Sequence, residues 1–201
     1  MYFVFDIGNV LFSWNPDIFL AKYFPDDVMR LKQLIFLGEE WKRLDLGELS
    51  LEEVEILMSE RYVQDQEAIH FIFDHFQEEM MQPIDDSIKT VKALKKKGYK
   101  LYLLSNLNQE RYHKRYQQHP DIFSLFDGVT LSGGVHELKP DQSIYLKFFH
   151  QFHLEPSNGL LIDDNLANIQ TAQRLGMQSL LSLPQQNLTQ RLKAMGIDMI
   201  P

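Results

Sequence analysis

The chain has 201 residues, 20 lysines and arginines against 28 aspartates and glutamates, and a net charge of -8 at pH 7. That is long enough for one good core with a smaller satellite, and too acidic for a broad nucleic-acid footprint. The absence of cysteine excludes disulfides, thiolate catalysis and cysteine-based zinc sites.

Tyr2 to Phe5 is an apolar run that reads as a buried strand, and Gly8-Asn9 reads as the tight turn leaving it. Asp6 then stands at the carboxyl end of a strand, where open α/β sheets place ligands. A lone carboxylate capping a turn fits the same segment. No basic leader precedes Asp6 and no apolar run approaches ~18 residues, so a soluble cytoplasmic protein without membrane partners is expected.

From about Trp14 to Gln82 helical periodicity replaces strand patterning, with Val28, Leu31, Leu34 and Ile35, then Leu51, Val54, Leu57 and Met58. Residues 15–82 are therefore expected to form a helical insert, leaving 1–14 and 83–201 as the core. Its short linkers, at Asn15-Pro16 and Gln82-Pro83, permit hinge motion over the crevice. Phe71, Phe73, Phe76 and Met80-Met81 are expected to pack the insert against the core. Trp14, Trp41 and Arg43 are candidate substrate contacts, with packing and a solvated charge as the competing readings.

From Pro83 the chain alternates amphipathic and apolar segments, the βαβ pattern of a parallel sheet. A helix from Asp85 to Lys97 ends at Gly98, and Lys95-Lys96-Lys97 suits its negative end. Next come a strand from Lys100 to Leu104 leading into Ser105-Asn106, a polar helix to Gln118, and a strand near Gly128 to Leu131. Lys139-Pro140-Asp141 opens a helix carrying Ile144, Tyr145, Phe148 and Phe149. A strand from Gly159 to Ile162 stops on Asp163-Asp164, a helix runs from Asn165 to Leu175, and Ser179 to Leu181 forms a fifth strand. His150 and His153, three apart, are expected on a helix surface.

Parallel strands share one carboxyl edge, so Asp6, Ser105-Asn106 and Asp163-Asp164 converge, with Lys139 nearby. Gathered carboxylates call for a hard cation, and Mg²⁺ prefers one or two carboxylates with waters and substrate phosphate. Lys139 supplies a point cation for the same anion, and the Ser105 hydroxyl a hydrogen bond. Asp6 is the candidate nucleophile, attacking phosphorus to give an aspartyl-phosphate. The competing readings are an exposed lysine before a helix, and Asp163-Asp164 as helix caps.

Asp6-Ile7-Gly8-Asn9-Val10, Leu104-Ser105-Asn106, Lys139-Pro140 and Ile162-Asp163-Asp164 through Asn168 resemble the four ordered motifs of the haloacid dehalogenase-like hydrolases. The resemblance covers Tyr2 to about Leu181. It implies an α/β, Rossmann-like parallel sheet of order 5-4-1-2-3 with an inserted helical cap. Gly38-Glu39-Glu40-Trp41 to Asp45-Leu46-Gly47-Glu48-Leu49-Ser50 is similar to the branch holding bacterial sugar-phosphate phosphatases, glucose 1-phosphate types included. By the same resemblance, Mg²⁺ is the cofactor and its ligands are Asp6, the Gly8 carbonyl and Asp164. Ser105 and the Asn106 backbone would hold phosphate, Lys139 would neutralise Asp6 and the transferring group, and Asp163 and Asn168 would orient them. The substrate would be a small phosphorylated metabolite and the protein a monomer or homodimer.

The family's phosphatases usually carry an acid/base aspartate where this chain has Gly8. Its loss calls for a leaving group that departs easily, such as an anomeric sugar phosphate or an acyl phosphate. Otherwise it calls for a surrogate acid such as Asp45 or His136 brought by the insert. A phosphate-ligand binding or regulatory protein, or a 2-haloacid dehalogenase, are the alternative functions.

Overall fold

The computed structural model describes residues 1–183 and 186–197. Strands β1 (Tyr2–Phe5), β2 (Lys100–Ser105), β3 (Gly128–Leu131), β4 (Gly159–Asp163) and β5 (Gln178–Leu181) form one five-stranded sheet. All neighbours are parallel, in the order β3-β2-β1-β4-β5, which read from the opposite edge is 5-4-1-2-3.

β1 is central, and its alternation feeds both faces of the sheet. Phe3 and Phe5 enter a cluster with Ile88, Val91, Leu94, Phe123 and Leu192. Tyr2 and Val4 join Ile144, Tyr145, Phe148 and Ile169 on the other face. Phe5 sits beside Leu103 of β2 and Ile162 of β4, so Asp6, just past β1, and Ser105 and Asp163, the last residues of β2 and β4, gather at one edge of the sheet within two residues of that row.

Between β1 and β2, residues 16–80 fold as helices α1 (Pro16–Tyr23), α2 (Val28–Leu31), α3 (Glu39–Asp45), α4 (Leu51–Arg61) and α5 (Gln66–Met80), with a π-helical turn at Lys32–Phe36. They enclose their own apolar cluster, including Phe19, Leu31, Ile35, Leu44, Val54, Ile69 and Phe76. Ser50 starts α4 through a reciprocal box, its Oγ accepting from the Glu53 amide at 3.1 Å while Glu53 accepts from the Ser50 amide at 2.7 Å. The two connections to the sheet run side by side: the Ser13 amide donates to the Gln82 carbonyl and the Ile84 amide to the Leu11 carbonyl, both at 2.8 Å.

The remaining helices are α6 (Asp85–Lys96), α7 (Gln109–Gln118), α8 (Pro120–Phe123), α9 (Ser132–Val135), α10 (Gln142–Phe152), α11 (Leu166–Arg174) and α12 (Leu188–Ala194). α10 begins at Gln142 rather than at Lys139, because Lys139-Pro140, joined by a cis peptide, belongs to the preceding turn. Met81 alone of the expected packing residues joins the sheet's core; Phe73, Phe76 and Met80 pack inside the insert. Phe71 turns to Tyr23 and Phe24, with ring centroids 4.7 and 5.7 Å away.

Candidate active site

The turn after β1 is built on Asn9, whose φ of 51° puts it in the left-handed region that asparagine tolerates best after glycine. Its side chain ties the turn together, accepting from the Trp14 amide and donating to Asp164 Oδ2, both at 2.9 Å. Gly8 has no positive φ, and a Cβ there would meet only Trp14 Cβ at an ordinary 3.8 Å. Neither backbone geometry nor packing forces glycine at that position.

Asp6 is buried, with Oδ1 accepting from the Ile7 amide and from Ser105 Oγ, each at 2.7 Å. Its Oδ2 lies 3.0 Å from Lys139 Nζ, which donates to Asp163 Oδ2 at 2.6 Å. Burial pushes the Asp6 carboxyl up to about 6, against the pull of Lys139 and with a further push from Asp163. Burial opposes the charge on Lys139, but Asp6 and Asp163 outweigh it and hold the ammonium above its usual range. Lys139 is only 4% exposed, which removes the exposed-lysine reading.

Asp163 is fully enclosed, and its Oδ1 accepts from Asn168 Nδ2 and the Asn165 amide, both at 2.9 Å. The cap of α11 is Asn165, whose side chain accepts from the Ala167 amide at 2.9 Å, so Asp163-Asp164 is released from capping. Asn106 and Lys139 are clasped reciprocally: the Asn106 side-chain amide donates to the Lys139 carbonyl at 2.9 Å and its oxygen accepts from the Lys139 amide at 2.8 Å. Asp6, Asp163 and Asp164 each offer a carboxylate oxygen within 4.8 Å of the others'. An all-oxygen donor set of this kind suits Mg²⁺. Asp163 is spent on Lys139 and Asn168, whereas Asp164 is half-buried and raised chiefly by burial.

These groups floor a cavity of about 260 Å³ whose walls include Trp14, Phe36, Trp41, Asp45, Met81, Leu107 and Arg111. Asp45 closes α3 and reaches the cavity because its loop docks on the core. Arg111 Nη1 donates to Asp45 Oδ1 at 3.1 Å, and Gly47, at φ 72°, lies so close that a Cβ would meet the Gly133 carbonyl oxygen at 2.5 Å. The Arg111 guanidinium stacks 4.9 Å from the Trp41 ring and 5.4 Å from that of Trp14.

Of the candidate contacts, Trp14 and Trp41 line the cavity, while Arg43 pairs with Glu48 outside it at 3.1 Å. His136 is exposed, with Nδ1 2.9 Å from the Leu46 carbonyl, and does not reach the cavity. His150 and His153 are exposed with rings 6.4 Å apart, His153 closing α10 in the left-handed region. Arg111 escaped the sequence reading because α7, QERYHKRYQQ, reads as polar all round. Asn108, the N-cap, marks where α7 begins and so puts Arg111 in its first turn, but it does not tell which face is buried.

A sequence model of the haloacid dehalogenase-like hydrolases matches residues 43–182. The chain belongs to this family. The match includes Ser105, Lys139, Asp163 and Asp164; Asp6 lies before it and joins them through the pairing of β1. The chain is 26% identical to a sesquiterpene phosphatase of Aspergillus oryzae, over 88% of this chain and 87% of that one. It is 24% identical to a phosphoglycolate phosphatase of Aquifex aeolicus, over 89% and 77%. A family enzyme of Bacteroides thetaiotaomicron, solved with magnesium and inorganic phosphate, superposes with a TM-score of 0.76 at 17% identity, covering 94% of this chain and 98% of that one; that likeness concerns the fold.

Proposed function

We propose that this hydrolase is a magnesium-dependent phosphatase of a small phosphorylated metabolite, a sugar phosphate above all, acting through an aspartyl-phosphate on Asp6. The observation that carries the reading is the polar floor of the cavity, where Asp6 is fixed by Ser105, the Ile7 amide and Lys139. The phosphatase names of the two relatives agree with it.

Asp6 Oδ forms a bond to phosphorus as the ester oxygen leaves, and water then displaces the Asp6 oxygen to release phosphate. Ser105 and the Asn106 backbone hold the phosphoryl oxygens, and Lys139 balances the charge of Asp6 and of the transferring group. Asp163 and Asn168 keep Lys139 aimed at Asp6. Asp6, the Gly8 carbonyl and Asp164 would hold Mg²⁺, which supplies Lewis-acid neutralisation of phosphoryl charge. The insert, residues 15–82, acts as a cap that carries Trp41 and Asp45 to the cavity mouth and limits the substrate to small molecules.

The apolar walls formed by Trp14, Phe36, Trp41, Met81 and Leu107 favour a second substrate class, the phosphate of an apolar alcohol. Phosphate release from glucose 1-phosphate, acetyl phosphate, a prenyl phosphate and a 2-haloacid control, with wild type and Asp6→Asn, tests both. Mg²⁺-dependent release that vanishes in Asp6→Asn is expected. Release equal in the two proteins, halide release without Mg²⁺, or saturable ligand binding with no turnover would overturn the reading.

A further inference from the structure

Hydrolysis of an ordinary phosphate ester needs a proton for the departing oxygen, and Gly8 supplies none. The ionisable side chains lining the cavity are Asp6, Asp45, Arg111, Lys139 and Asp164; among the described residues no histidine, cysteine or tyrosine lines it. Asp6 is engaged with phosphorus and Asp164 with the cation. Arg111 keeps its proton at any working pH, and Lys139 is locked as an ammonium between Asp6 and Asp163. Asp45 is left.

We propose that Asp45 is the general acid that protonates the leaving oxygen and the general base that accepts the proton of the attacking water. The proposal rests on the aspartyl-phosphate reading. Asp45 is the last residue of α3, where the negative end of the helix disfavours a carboxylate. Its Oδ1 is held by Arg111, while Oδ2 takes no hydrogen bond from a described residue and is free to carry the transferable proton. The charged groups facing it are Arg111 on α7 and Asp6 beyond β1, with Lys139 and Asp164 across the cavity and His136 behind, on the Leu46 carbonyl. Burial first, and Asp6 in addition, push the Asp45 carboxyl up to about 7 against the pull of Arg111, where a group can act as acid and then as base near neutrality.

In the first step Asp6 Oδ bonds to phosphorus, the bond from phosphorus to the ester oxygen breaks, and the Asp45 proton passes to that oxygen, which leaves as an alcohol. In the second, water oxygen bonds to phosphorus, its proton goes to the Asp45 carboxylate, and the bond to Asp6 breaks. Phosphate departs, and both side chains return to their starting states.

The test is the dependence of kcat/KM on leaving-group basicity, across 4-nitrophenyl phosphate, phenyl phosphate and glycerol phosphate with saturating Mg²⁺. Wild type is expected to show a shallow dependence at about pH 6 that steepens above about pH 8, as Asp45 loses its proton. Asp45→Asn is expected to be steep throughout, losing ~10²- to 10⁴-fold on glycerol phosphate while retaining most of its 4-nitrophenyl phosphate rate. A steep wild-type dependence at about pH 6, with Asp6-dependent release of 4-nitrophenol, would overturn the role of Asp45 and leave the aspartyl-phosphate standing. So would a folded Asp45→Asn protein that loses all three esters equally. No Asp6-dependent release from any ester would remove both. The wild-type series needs no variant, so it decides even if Asp45→Asn does not fold.

Discussion

Lys139 places one positive charge between two buried carboxylates, and together they keep its ammonium charged out of water. Lys139→Met leaves Asp6 and Asp163 without their counter-ion. It is expected to cost roughly 3 to 5 kcal/mol of stability in a denaturant titration, and to stop phosphate release. Gly8 makes the reverse prediction: the space beside it accepts a side chain, so Gly8→Asp in the Asp45→Asn background is expected to recover turnover of glycerol phosphate, measured as kcat/KM. The convergence of Asp6, Ser105, Asp163 and Asp164 was legible in the sequence because parallel strands end at one edge of the sheet, whereas Lys139 reaches them from the turn before α10 and not from a helix start. Arg111 and the orientation of Asp45 were not legible, since both depend on one helix of the insert meeting one helix of the core.

That meeting is set at the scale of elements by the loop from α3 to α4. Ser132 Oγ donates to the Asp45 carbonyl, Gly47 rests on Gly133, and the Leu51 amide donates to Glu110 at 3.3 Å. Gly47→Ala is expected to lift this loop and lower kcat on the order of 10²-fold, the scale set by a displacement of about 1 Å at a reacting group. Gly98→Ala is the matched control, since Gly98 has a similar φ of 83° with nothing within 4 Å of its Cβ position; it strains the chain without touching the loop, so thermal melts of the two separate strain from displacement. The strands were legible from their apolar runs and Gly or Asp ends. The insert's internal packing was not, because its periodicity shows which residues face inward and not which helix they meet; Phe71, expected against the core, faces Tyr23 instead.

Across the whole molecule acid exceeds base, and the cavity shares that balance: Lys139 and Arg111 line it beside Asp6, Asp45 and Asp164, so a bound anion calls for a cation on those carboxylates. Among the described residues no helix is long and apolar enough to cross a membrane. Far from the cavity, Asp127 joins the start of β2 to α6, bonded by Lys100 at 2.8 Å, Lys95 at 2.7 Å and the Leu101 amide at 3.0 Å. Burial opposes its charge, but these bonds prevail and lower its pKa from 3.8 to about 2. Its stabilisation is therefore present above about pH 4 and lost as pH falls toward 2, so acid unfolding of Asp127→Asn is expected to be less steep over that window. The sheet order was not legible from the strands themselves; it came with the family resemblance, and the sheet read from its β5 edge has that order.

The central claim, that Asp6 carries the phosphoryl group, is tested most directly by trapping. Wild type is mixed with Mg²⁺ and a phosphate monoester, quenched in acid during turnover, and the peptide containing Asp6 is examined by mass spectrometry. One phosphoryl group on Asp6, absent when Mg²⁺ is chelated and absent from Asp6→Asn, is the predicted result. Turnover with an unmodified Asp6, or a phosphoryl group found on another residue, would contradict the account.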